Sequence, residues 1–193
     1  SYLKETDEST ILNPSKYIFM TVLCFIFIWF IWSANIKPLQ INKKINEAAF
    51  SSKRISSVAQ DDLMLAQKRY LKVLKRMEDI MSEKSFIDNY LRLQYVDIIS
   101  TASKIMPEKS SELSLRAIQI LEECTKSRPY YTRTWLYLGI YINNYIESTP
   151  DLKPEAKEEL NKKFSASIEK AEQLSPRHPE IFITLAENDL INE

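Results

Sequence analysis

Six aromatic side chains crowd into residues 130–145: Tyr130, Tyr131, Trp135, Tyr137, Tyr141 and Tyr145. Rings that also carry a hydroxyl or an indole N–H can stack on a sugar or grip a peptide. Laid on a helix, Trp135, Leu138 and Ile142 share one face and read as core. Tyr130, Tyr137, Tyr141 and Tyr145 fall on the remaining surface, which makes them candidate groove-lining residues. Other reactive groups are sparse. The one histidine, His178, lies in SPRHPE with no Ser or Cys nucleophile pattern beside it, and reads as a solvated loop residue. The carboxylates of KPEAKEELNKK alternate with lysines three or four residues apart, as on a solvated helix face, and no acid pair stands in an apolar setting. Cys24 sits in an apolar run, where it behaves as a small hydrophobe, and neither it nor Cys124 has metal-ligand spacing. The sequence therefore offers no catalytic residue, no cofactor site and no metal site.

Composition points the same way. One glycine and eight prolines in 193 residues leave almost nothing from which to build hairpin turns, phosphate-cradling loops or dinucleotide fingerprints. The expected fold class is all-α. Basic and acidic residues balance at 26 each and neither sign piles up, so nucleic acid is not indicated as a partner.

Between Lys16 and Lys37 stands YIFMTVLCFIFIWFIWSANI, twenty residues without a charge. As a helix it reaches about 30 Å, the thickness of a bilayer's hydrocarbon core. Tyr17 at one end and Trp29 and Trp32 toward the other suit the two interfaces, and Pro38 is expected to stop the helix. The partner of residues 17–36 is then membrane lipid. Lys4 and Lys16 precede the span, while Lys37, Lys43, Lys44, Lys53 and Arg54 follow it closely, which places the C-terminal part on the cytoplasmic side of an inner or plasma membrane. The chain opens at Ser1 without a methionine on a polar stretch, 1–16, that reads as the tail of something longer. The expected division is 1–16 polar segment, 17–36 transmembrane helix, 37–60 juxtamembrane linker and 61–193 helical domain.

Caps and breaks divide that domain. Asp61 and Asp62 cap a helix running to about Met81, and Ser85 one running from Phe86 to about Ser103. Pro107, Pro129, Pro154 and Pro179 open the next four. A short helix over 39–50, followed by the polar break SSKRISS at 51–57, joins the span to the array.

Aligned with itself, the chain repeats at 47 residues. Ala117, Leu121, Cys124 and Pro129 return as Phe164, Ile168, Ala171 and Pro176; Trp135, Leu138, Gly139 and Ile142 return as Phe182, Leu185, Ala186 and Asp189. In the other direction Leu121 and Cys124 fall on Leu74 and Met77, and Leu138 and Ile142 on Leu91 and Tyr95. Trp135-x2-Leu138-Gly139-x2-Ile142, with Ala117-x3-Leu121-x2-Cys124-x4-Pro129, resembles the tetratricopeptide repeat, although Ile142 replaces its tyrosine, Cys124 its alanine, and the period exceeds the usual 34 or so residues. A HEAT-like array, with a period of about 40 to 47 residues, fits the spacing but lacks the Trp-Leu-Gly signature. The resemblance implies an α-solenoid of antiparallel helix pairs in which Ala117, Leu121, Cys124, Trp135, Leu138, Gly139, Ile142, Ile168, Ala171, Leu185 and Ala186 are packing positions. Gly139, in a helix interior where it costs about 1 kcal/mol against alanine, is then kept where the two helices of a pair come too close for a side chain. Alanine should be tolerated there and leucine should not.

Two functions follow. One is a membrane-anchored scaffold whose array binds a protein partner. The other rests on layout: a span, the polar segment NIKPLQINKKINEA and then repeat-like helices resemble the C-terminal end of bacterial O-antigen ligase or polymerase-like membrane proteins, which join glycan chains from a lipid-linked donor. On that resemblance the catalytic residues lie upstream of Ser1, and a lipid-linked glycan is a partner only through the parent protein.

Overall fold

The computed structural model describes residues 14–59, 62–83 and 87–192, and among them every regular element is helical. The described residues form eight α-helices: α1 Pro14–Ile31, α2 Lys37–Val58, α3 Leu63–Ser82, α4 Asp88–Ile105, α5 Ser110–Ser127, α6 Thr132–Glu147, α7 Pro154–Leu174 and α8 Pro179–Asn192. A π-helical segment, Trp32–Ile36, and a 3-10 turn, Pro107–Lys109, complete the set. The caps expected at Asp61 and Ser85 lie outside the described residues, as do Phe86 and most of the polar N-terminal segment. Asp62 caps α3 by accepting the Leu65 N–H at 2.9 Å. The chain divides into two compact units between Gln40 and Ile41.

In the first unit α1 is apolar on every side, and its large side chains from Tyr17 to Phe30 are exposed. By length and composition it lies in the one helical run among the described residues that is long and apolar enough to cross a membrane. The expected stop at Pro38 does not occur. Proline lacks an N–H and its ring presses on the carbonyl four residues back, so it normally breaks a helix. Here the turn just before it is widened: the Lys37 N–H bonds the Trp32 carbonyl, five residues back, and helical geometry continues into α2.

The second unit begins with a helical hairpin. Along α2 the buried residues Ile41, Ile45, Ala48, Ser52 and Ile55 are spaced alternately four and three apart; along α3, Ala66, Tyr70, Val73, Met77 and Ile80 follow the same rule. That is the 3.5-residue period of a two-helix seam. The Tyr70 hydroxyl donates to the Ser52 carbonyl at 2.9 Å, Arg76 meets Glu47 at 2.6 Å and Lys44 meets Glu83, which fixes the pair as antiparallel. The polar break read at 51–57 is thus corrected. Its serines do not interrupt the helix because they bond it: Ser51 Oγ donates to the Glu47 carbonyl and Ser57 Oγ to the Arg54 carbonyl, both at 2.7 Å, while Ser52 is buried against Tyr70. The stretch read as a linker up to residue 60 belongs, from Ile41 on, to the second unit.

From α3 onward each helix packs on the next, and α6 also packs on α8. Positions 47 apart on α3, α5 and α7 are buried in all three: Tyr70, Ala117 and Phe164; Leu74, Leu121 and Ile168; Met77, Cys124 and Ala171. On α4 and α6, Leu91 and Tyr95 match the buried Leu138 and Ile142. On α8 the match fails. Leu185 and Ala186, expected to pack, are exposed together with Phe182 and Asp189. The helix instead buries Ile181 and Thr184, and Asn188 donates to the Asn143 side chain at 2.7 Å. The reason is positional: on α6 the face bearing Gly139 lies against α7, and no described helix lies against the corresponding face of α8.

Candidate functional site

Helices two apart in the chain touch. Glu78 on α3 meets Arg116 on α5 at 3.7 Å, and Glu122 on α5 meets Lys163 on α7 at 2.7 Å. On the other tier, Asp97 on α4 meets Arg133 on α6 at 3.4 Å, and the Tyr141 hydroxyl donates to the Val96 carbonyl at 2.6 Å. These contacts leave a furrow between α3 and α5. It consists of two cavities of about 510 and 490 Å³ that share Glu78, Arg116 and Gln119.

The ion pair sits where the two cavities join. Tyr95, 1 % exposed and reaching from α4, donates its hydroxyl to Glu78 Oε1 at 2.8 Å and so holds the carboxylate in place. Burial, and then the Glu78 carboxylate beside it, push the Tyr95 phenol far above its ordinary value, so it remains a donor throughout the physiological range. In the first cavity Leu71 and Leu115 present apolar surface among Lys75, Lys109 and Glu112. In the second, Arg92 pairs with Glu123, and Lys126 stands beside them. Apolar strips edged by both signs of charge suit a polypeptide segment better than a small reactive substrate.

The four tyrosines singled out from the sequence do not form one groove. Tyr130 is 82 % exposed, and Tyr137 is half-buried under the Arg133 guanidinium, 4.8 Å from its ring centre. Tyr145 is half-buried, and Tyr141 is a core residue, 4 % exposed, rather than a surface one. Helical periodicity misplaces Tyr141 because α6 is covered on several sides, by α5, α7 and α8. None of the four lines the furrow between α3 and α5. Trp135 is half-buried and donates its indole N–H to the Pro129 carbonyl at 2.8 Å.

The packing positions Ala117, Leu121, Cys124, Leu138, Ile142, Ile168 and Ala171 belong to one continuous core. Burial pushes the Cys124 thiol up to about 11, which keeps it protonated and a weak nucleophile. His178 lies 4.0 Å from Glu180 beside the start of α8. Among the described residues no group of three or more His, Cys, Asp or Glu is placed to hold a metal ion. Glu78, Arg116 and Tyr95 escaped the sequence reading as a site because they come from α3, α5 and α4, and nothing local in any of the three marks their meeting. No protein-family model, curated protein or solved structure matches this chain.

Proposed function

We propose that the chain is a membrane-anchored scaffold: α1 holds it in the bilayer, and α3 to α8 form a tetratricopeptide-like stack of antiparallel pairs that receives a partner polypeptide in the furrow between α3 and α5. The observation that carries this reading is the contact between alternate helices. In such a stack the equivalent helices of successive units lie side by side and line one face of the array. Glu78 with Arg116 and Glu122 with Lys163 are contacts of that kind, and the furrow lies between the first two of those helices. The reading places the helical unit in the cytoplasm, on the balance of basic residues around the span.

Site-directed photocrosslinking tests it. A benzophenone side chain at Gln119, which lines both cavities, should give a discrete adduct in cell membranes, and Arg116→Ala should weaken that adduct at least several-fold. The same probe at Glu172, exposed on α7, should give none. Equal labelling at the two positions, or an adduct indifferent to Arg116→Ala, would count against the furrow as the binding face.

A further inference from the structure

On one flank of the α2–α3 seam, cations face cations. Glu47 and Arg76 meet there at 2.6 Å, the opposite-charge pairing that commonly flanks a helix seam. The register set by that pair puts Ser51 level with Lys72 and Arg54 level with Arg69. Together with Ile55 and Val73 these four residues line an open cavity of about 380 Å³. Among the described residues no carboxylate lines it. Among the described residues none of the three cations has an ion-pair partner; Arg54 lies over the Phe50 ring at 5.8 Å.

Three like charges around one cavity repel each other, and in the absence of an anion they weaken the hairpin that carries them. A single carboxylate offsets one of them. A phosphate monoester carries about 1.5 to 2 negative charges on three strong acceptor oxygens, closer to what three cations can neutralise. Arginine suits it further, because the planar guanidinium grips two phosphate oxygens at once, with lysine as a mobile point charge.

We propose that Arg54, Arg69 and Lys72 bind a phosphate-bearing group across the α2–α3 seam, either a lipid headgroup or a soluble phosphate. The site stands on α2 and α3 alone and does not depend on the furrow.

The test uses the full chain in zwitterionic micelles, its melting followed by circular dichroism at fixed ionic strength. One arm adds inorganic phosphate in place of chloride. The other dopes the micelles with phosphatidic acid in place of phosphatidylcholine. The expected result is a rise in Tm of about 2–4 °C, the size of shift that anion binding of ordinary strength produces in a chain of this length. A rise with inorganic phosphate identifies a soluble ligand, and a rise with phosphatidic acid only identifies a lipid. In Arg54→Gln/Arg69→Gln/Lys72→Gln the rise should vanish, while the anion-free Tm should equal or exceed that of the wild type because the repulsion is gone. Should the triple variant not fold, Lys72→Gln alone should show a reduced rise. No rise in either arm, or a rise undiminished in these variants, would overturn the proposal.

Discussion

Gly139 is small because of Ile168. A Cβ at position 139 would stand 2.6 Å from Ile168 Cδ1, 3.1 Å from its Cγ1 and 3.5 Å from Phe164 Cε2. The need for a small residue was legible in the sequence, since a glycine inside an aromatic helix calls for a reason. How close the neighbour comes was not: the approach is to Phe164 and Ile168 on α7, the helix that follows α6 in the same repeat unit. Alanine therefore faces a cost the sequence did not reveal. Ile168 is 2 % exposed, so its methyl end can move only against other core atoms. Set against the gain of about 1 kcal/mol in helix propensity, the expected result for Gly139→Ala is a net loss of about 1 kcal/mol. Removing the clashing methyl reverses the sign. Ile168→Val, which alone should cost about 1 kcal/mol, should cost nothing or stabilise when Ala occupies 139. Denaturant melts of the four species of this cycle read the coupling, and strict additivity would show that the two side chains do not meet.

At the scale of elements, helix starts were legible where a proline or an acidic cap marked them, except that α5 and α6 begin at Ser110 and Thr132, three residues past Pro107 and Pro129. Pro154 opens α7, Pro179 opens α8 and Asp62 caps α3. The two misreadings have one cause. Pro38 and the serines of 51–57 are helix breakers by local propensity, and each is overridden by a bond that propensity does not contain. A π turn relieves the proline, and the serines are satisfied by carbonyls of their own helix or by Tyr70. The heptad pattern through Ile41, Ile45, Ala48, Ser52 and Ile55 was present in the sequence, hidden by one polar residue at a core position. This makes Ser52–Tyr70 the feature to test. Tyr70→Phe keeps the ring and removes a donor buried at the seam, so thermal melts should show a loss of about 1–2 kcal/mol. An unchanged Tm would mean that α2 is not packed on α3 at this level.

For the whole molecule, the all-helical class and the buried positions of α3, α5 and α7 followed from composition and the 47-residue period. What the period could not supply was which helices touch at a distance. The pairs that result, Glu78 with Arg116 and Asp97 with Arg133, join helices two apart in the chain and leave no local mark. The stack of alternate helices is the claim on which the proposed scaffold stands. It is tested most directly by cysteine pairs in intact membranes, in a background of Cys24→Ser and Cys124→Ala, the latter a residue that the repeat itself carries as Ala171. Glu78→Cys with Arg116→Cys, and Glu122→Cys with Lys163→Cys, should be joined rapidly by a short bismaleimide, whereas Glu78→Cys with Lys163→Cys, which would bridge α3 to α7, should not. Failure of both alternate-helix pairs to link, while cysteines placed across α5 and α6 do link, would contradict the stack and the furrow with it.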